Sequence, residues 1–173
     1  MGKSGIEVTQ MGNGGRQGGR TEPMEKAVKR AKFVGRYRHT VDEKRRLAIP
    51  KKWREEAGSK SEFYVLPLPN NHLLVLPEAA MERMLEKADE ISIGEYDRRD
   101  AMRLVIGRTH TTGLDAQGRL LLSEDLMTYA GLEGEEVLVG MLKGFEIWSP
   151  ARLEAVHEKG VSQFAELVKE LGM

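Results

Sequence analysis

At 173 residues the chain is long enough for one domain or two small ones, and its composition is that of an ordinary globular protein. It has no cysteine, which excludes disulfides, thiolate catalysis and thiolate zinc sites. The formal net charge of zero hides an asymmetry: residues 1–54 hold 15 Lys/Arg against 5 Asp/Glu, whereas residues 55–173 hold 12 against 22.

Residues 1–21 carry seven glycines and almost no large apolar residue. Such a stretch does not repay the entropy of ordering, so residues 1–32 are expected to be a flexible Gly/Arg-rich arm. Met24 is an alternative translation start within it, and Glu25 to Lys32 has the makings of a short basic helix. The N-terminus lacks the apolar core of a secretory signal, and Ile6 stands where a myristoylation signal has Ser or Thr. The longest apolar run, Val137 to Leu142, is too short to span a membrane. The expected location is the cytoplasm.

Phe33 to Val41 alternates bulky and polar residues, which predicts a strand, and Leu47-Ala48-Ile49 continues it beyond a tip at Asp42 to Arg46. Pro50 opens a short helix, Lys51 to Ala57, closed by Gly58. A strand at Phe63 to Leu66, a turn at Pro67 to Asn71 and a strand at Leu73 to Leu76 follow. Pro77 then opens a helix from Glu78 to Glu90. Glu95 to Ile106 reads as a connecting helix with Tyr96, Arg99 and Arg103 on one side.

The order then repeats. Leu114-Asp115-Ala116-Gln117-Gly118-Arg119-Leu120-Leu121-Leu122 matches Val41-Asp42-Glu43-Lys44-Arg45-Arg46-Leu47-Ala48-Ile49 at an offset of 73 residues. The offset persists for Ala57-Gly58 with Ala130-Gly131 and for Pro77 with Pro150, so the chain contains an internal duplication. Ser123 is the expected N-cap of a helix from Glu124 to Ala130. Strands are expected at Val137 to Gly140 and Phe145 to Trp148, and a helix at Ala151 to Lys159. Val161, Phe164, Val168 and Leu171 form a stripe on a C-terminal amphipathic helix, read as core or subunit interface.

The expected organisation is an arm (1–32), a first half (33–90), a connecting helix (91–108), a second half (109–157) and a C-terminal helix (158–173). Neither half has enough apolar surface to stand comfortably alone. The expected fold class is β-rich α+β: two pseudo-symmetric halves intertwine their strands into one closed β-barrel with flanking helices, leaving no exposed edge.

The basic cluster concentrates on the first turn and its flanks, including Lys44, Arg45, Arg46, Lys51, Lys52 and Arg54. That pattern fits a polyanionic partner, with a merely solvated basic face as the bland alternative. Arg46 and Arg119 sit at the mouths of tight turns. An arginine fork there can take two acceptors of a guanine or clamp a phosphate, and a hairpin tip is narrow enough for a major groove. Asp42 and Asp115 would repel phosphate and are expected to accept turn N–H groups or orient the following arginine. Gly118 supplies a backbone that tolerates positive φ. The competing reading is that each Asp–Arg pair only staples its own turn.

These residues resemble the MraZ family of bacterial transcriptional regulators, which share an AbrB-like swapped-hairpin barrel. The resemblance rests on the doubled Asp-x-x-x-Arg turn, Phe33-x-Gly35-x-Tyr37-x-His39, Ile49-Pro50, Arg98-Arg99, Asp115-Ala116-Gln117-Gly118-Arg119, and Val139-Gly140 followed by Phe145-Glu146-Ile147-Trp148. It covers residues 33 to about 155. It implies that the two turns form a surface that reads double-stranded DNA, and that subunits close into a ring engaging short direct repeats in a promoter. The implied target is the promoter of the protein's own division and cell-wall gene cluster, with a nucleoid-associated location. The family's DNA-contacting cations fall on Lys44, Arg46 and Arg119. One departure is Arg45, where the family's first turn has glycine. Either that turn takes another shape, or it tolerates strain while presenting an extra cation. The glycine-rich arm is a second departure.

Rival functions are an antitoxin-like repressor of the same barrel class, an RNA-binding assembly protein and an enzyme. His39, His72, His110 and His157 do not recur at the 73-residue offset, and no metalloprotease, phosphate-loop or nucleophile-elbow motif is present. An acid–base pair of Asp42 and Asp115 across the pseudo-twofold axis lacks supporting groups. No enzyme activity, cofactor, metal or membrane partner is expected.

Overall fold

A computed structural model of the chain describes residues 32–58, 62–92 and 94–172. The expected arm and basic helix lie outside the described residues, apart from Lys32. The described elements are β1 (Arg36–Thr40), β2 (Arg46–Ala48), α1 (Lys51–Ala57), β3 (Phe63–Leu68), β4 (His72–Pro77), α2 (Glu78–Asp89), α3 (Tyr96–Ile106), β5 (His110–Thr112), β6 (Arg119–Leu121), α4 (Glu124–Ala130), β7 (Glu135–Gly140), β8 (Phe145–Trp148) and α5 (Pro150–Glu170).

The duplication is visible in these bounds. β2 and β6, and α1 and α4, are related by 73 residues at both ends, while β3 and β7 are related by 72. The offset returns to 73 at the start of β4 and β8 because the β7–β8 connection is one residue longer than the β3–β4 connection.

The fold is mixed α+β. A six-stranded sheet runs β1-β7-β8-β4-β3-β5 and a separate two-stranded ribbon pairs β2 with β6. All pairs are antiparallel. Exchanging β1–β4 for β5–β8 reproduces the same sheet order in reverse, so the sheet carries the pseudo-twofold symmetry of the sequence. The halves have traded strands: β1 lies on β7 of the other half, and β5 lies on β3.

The sheet is open, not closed. It ends at β1 and β5, and β2 and β6 reach it only through the single bridges Val41↔Leu47 and Leu114↔Leu120. Three-residue strands are too short to carry a continuous ladder around. The two edges are blunted instead, by Arg36 and Arg38 on β1 and by the brevity of β5.

The core lies between the sheet and the ribbon. Phe33, Trp53, Phe63 and Phe145 are fully buried and meet one another with ring centroids 4.9–6.3 Å apart. Edge and tilted contacts of this kind add about 0.5–1.5 kcal/mol each beyond burial. The Trp53 indole N–H donates to the Val34 carbonyl at 3.0 Å, which satisfies its polar end. Leu47, Ile49, Leu120, Leu122 and Leu126 fill the space under the ribbon. A smaller cluster of Leu66, Leu76, Ala80 and Met81 seats α2 on the sheet, with Val105 and Ile106 of α3 packed against it. On the β4–β8 seam the His72 ring stacks on Trp148 at 3.8 Å, and Glu146 accepts the Trp148 indole N–H at 2.8 Å.

Two local expectations change. Pro67 belongs to β3, opposite Leu73, and the turn is made by Asn70 and Asn71. Both asparagines have positive φ (66° and 54°), as a tight connection between antiparallel strands requires. The helix expected at Ala151 to Lys159 and the C-terminal stripe form one helix, α5, through Gly160. A single glycine costs about 1 kcal/mol in a helix, too little to interrupt good helix formers on either side. The stripe is not core of this chain: Val161, Phe164 and Leu171 are 60%, 65% and 64% exposed.

Gly140 lies against the backbone of the first segment. A Cβ there would stand 2.6 Å from the Phe33 carbonyl and 2.7 Å from Val34 Cα. Gly140→Ala is therefore expected to cost about 1–3 kcal/mol in urea denaturation, because backbone must move. Gly113→Ala, which meets nothing within 4 Å, is the control and should cost far less.

Candidate nucleic-acid interface

Both turns are built by their aspartates. In the first, the Asp42 N–H donates to the Arg46 carbonyl (2.9 Å) and the Arg45 N–H to the Asp42 carbonyl (2.8 Å). Asp42 Oδ1 accepts the N–H groups of Lys44 and Arg46, each at 2.9 Å. The second repeats this: the Asp115 and Gly118 N–H groups donate to the Arg119 and Asp115 carbonyls, both at 2.9 Å. Asp115 Oδ1 accepts from Gln117 (3.0 Å) and Arg119 (2.9 Å). A short carboxylate satisfies turn donors that no strand can reach.

The other oxygen of each aspartate holds the arginine. Arg46 Nε donates to Asp42 Oδ2 and Arg119 Nε to Asp115 Oδ2, both at 2.8 Å. Antiparallel pairing of β2 with β6 sets Leu47 against Leu120 and places the two turns at opposite ends of a three-residue ribbon, Arg46 opposite Leu121 and Arg119 opposite Ala48. The arginines then reach across: Arg119 Nη1 is 3.4 Å from Asp42 Oδ2, and Arg46 Nη1 is 3.8 Å from Asp115 Oδ2. The result is a crossed quartet of two carboxylates and two guanidiniums, each side chain 26–33% exposed.

Each turn is also bound through the backbone to the residue that follows the other half's strand. The Ile49 N–H donates to the Gly118 carbonyl (3.0 Å), and the Leu122 N–H to the Arg45 carbonyl (2.9 Å). Both carbonyls belong to the residue just before the arginine.

Arg45 keeps the shape that glycine gives the second turn: its φ is 60°, against 76° for Gly118. The strain of about 1 kcal/mol is tolerated. Its guanidinium leans on α4, with Nη1 3.1 Å from Glu124 Oε2. Both side chains are well exposed, so solvent weakens this pair. Lys44 stands exposed at the first tip, and no ion pair holds its ammonium among the described residues.

The carboxyl of Asp42 is held below its ordinary value, first by the Arg46 side chain and then by N–H donors of the turn. Asp115 is lowered in the same way, first by the Arg119 N–H and then by its side chain. Both aspartates are thus fixed as anions, unsuited to donating a proton as a general acid. Among the described residues no group of three or more His, Asp or Glu is placed to hold a metal ion, and no helix is long and apolar enough to cross a membrane.

The structure brings Asp42, Arg46, Asp115 and Arg119 together in one quartet, while Lys44 and Arg45 stand at the tip of the first turn and Gly118 at the tip of the second. Sequence reasoning counted Arg54 only as part of a basic cluster. The structure lays its side chain across Gly118, where an added Cβ would be 2.6 Å from Arg54 Cδ. The sign of that contact in the sequence was the helix position of Arg54, one turn into α1; which turn α1 covers is decided by the strand exchange.

Fold and site together define a class: a duplicated, strand-exchanged α+β protein whose twin Asp–Arg turns are joined by a crossed quartet over a short ribbon. The family model described as "MraZ protein, putative antitoxin-like" matches residues 33–104 and again 105–170. The chain belongs to the MraZ family. It is 32% identical to a "Transcriptional regulator MraZ" of Clostridium tetani over 143 residues, covering 82% of this chain and 99% of that protein. Proteins of the same name from Moorella thermoacetica (35% identity, 80% of this chain, 96% of that protein) and Thermomicrobium roseum (38%, 73% and 87%) are also similar. These relatives are named as regulators of transcription, not as enzymes.

Asp42→Asn keeps an acceptor for the turn but removes the ion pair. A carboxyl lowered by folding contributes stability above its unfolded value, and that contribution is lost as pH falls through the folded value. The gap in melting temperature between wild type and Asp42→Asn should therefore be widest near neutral pH and close in acid. Thermal melts taken down to about pH 2 test this; a gap that widens in acid would contradict it.

Proposed function

We propose that this protein is a sequence-specific DNA-binding regulator of transcription whose paired turns read duplex DNA. The observation that carries the reading is the crossed Asp–Arg quartet that joins the two turns across the β2–β6 ribbon, in a chain whose relatives are named as transcriptional regulators. Lys44, Arg45, Arg46 and Arg119 are the contacting cations, and Asp42, Asp115 and Gly118 shape the turns. The quartet favours this role because it fixes two guanidinium forks in advance, which lowers the entropy lost on binding.

In this reading the two halves, 33–90 and 109–157, form the reading head. The strand exchange between them supports kinship with the swapped-hairpin architecture. Subunits assemble into a ring that engages short direct repeats in a promoter, that of the protein's own division and cell-wall gene cluster. The protein acts in the cytoplasm, at the nucleoid. The exposed stripe of Val161, Phe164 and Leu171 supports self-association, since apolar patches left open mark interaction surfaces. Joining several weak heads on repeated sites raises avidity by a factor on the order of 10² to 10⁴.

The antitoxin-like wording of the family model favours one alternative, a repressor that captures a toxin. A pull-down recovering a stoichiometric toxin would support that alternative over the first reading.

The experiment is selection of bound sequences from random duplex DNA, repeated with Arg119→Ala. The variant should lose about 1–3 kcal/mol of binding with relaxed sequence preference if Arg119 reads a base. If Arg119 only clamps phosphate, the loss is uniform and the salt dependence shrinks. No loss in a gel-shift titration removes Arg119 from the site. Sedimentation should show an oligomer; a monomer binding one repeat tightly would overturn the ring.

A further inference from the structure

We propose that the groove between α1 and the second turn is a phosphate-binding site for duplex DNA, with Arg54 as its cation. The inference rests on the DNA-binding reading above and adds a residue outside the Asp–Arg turns.

The duplication supplies an internal comparison. Each turn packs against the short helix of the other half. At the second junction the partners are Gly118 and Arg54, with the guanidinium and Cδ of the arginine lying over the glycine. The 73-residue offset relates Gly118 to Arg45 and Arg54 to Met127. At the first junction the turn therefore supplies the arginine and the helix an uncharged side chain. Each junction holds one guanidinium, delivered from opposite partners. Packing alone does not require that exchange, because half-buried Met127 fills its helix position without a charge. The feature common to both junctions is the cation.

The junctions differ in counter-charge. Arg45 is met by Glu124 at 3.1 Å. The residue 73 positions before Glu124 is Lys51, so the second junction has a cation where the first has an anion. Lys51 itself leans toward Glu55 at 3.7 Å. Arg54 Nε is buried without a hydrogen-bond partner, and no carboxylate pairs with its guanidinium among the described residues. An unpaired guanidinium retains its full attraction for an anion, and its planar fork suits a phosphate.

Beside it lies an open groove of about 530 Å³, between Lys51 and Arg54 on one side and Leu114, Ala116 and Gly118 on the other. Two carboxylates also border the groove: Asp115, whose oxygens are taken by the turn N–H groups and Arg119, and Glu55, whose Oε1 lies 3.7 Å from Lys51 Nζ. The groove adjoins the second turn, so a backbone running past that fingertip comes within reach of Arg54.

The test is fluorescence anisotropy with a labelled random-sequence duplex and a duplex bearing the selected repeat, over a salt series. Methionine is the substitution because the matching position already holds one. Arg54→Met should weaken binding by the same factor on both duplexes and flatten the logarithmic salt slope by about one phosphate contact, roughly 0.9. Arg54→Lys should retain most of the slope. Thermal melts establish that each variant is folded; should the methionine variant fail to fold, Arg54→Gln carries the same expectation. A folded variant with wild-type affinity and slope, on DNA that wild type binds, overturns this site alone. Failure of the wild-type protein to bind either duplex overturns the DNA-binding reading and this site with it.

Discussion

The molecule depends on the three-residue antiparallel crossing of β2 and β6. Leu47 and Leu120 face each other there, both fully buried, and anchor the base of each turn in the core. The backbone then locks each turn to the opposite half, because each gives the carbonyl before its arginine to an N–H there. Neither turn can tilt without breaking a bond to the opposite half. A single half has no partner within itself for this crossing.

Electrostatics follow from that geometry. Two aspartates and two arginines brought so close would clash if like charges met; the crossing sets them in alternation instead. The quartet is formally neutral, so it contributes orientation more than attraction. Attraction at long range belongs to the cations around it, Lys44 at the first tip and Lys51, Lys52 and Arg54 on α1. In the proposed DNA-binding reading two tasks separate: the outer cations gather a polyanion and the inner forks meet it in fixed geometry.

The two halves have diverged where their surroundings differ. α2 is covered in part by α3 and buries Ala80 and Met81 on the sheet. Its counterpart, α5, is 21 residues long and leaves Val161, Phe164, Leu167 and Leu171 exposed. Among the described residues one connecting helix lies between the halves and none lies on α5. The uncovered apolar stripe is one of the features in which the described halves differ.

What the sequence determined by itself is local. Helix α1 starts beside Pro50 and α4 starts at Ser123, whose hydroxyl accepts the Leu126 N–H at 3.3 Å, because caps and breakers act within a few residues. The doubled turn was legible for the same reason: aspartate, the positive-φ position and arginine lie within five residues of each other. The tertiary structure decided what depends on distant partners. That β1 pairs with β7, that the sheet stays open, that Pro67 joins a strand and that the α5 stripe faces outward all follow from contacts between residues far apart in the chain. Arg45 illustrates the boundary: the sequence left open whether its turn changes shape or bears strain, and the fold, which clamps its carbonyl to the Leu122 N–H, keeps the shape at a φ of 60°.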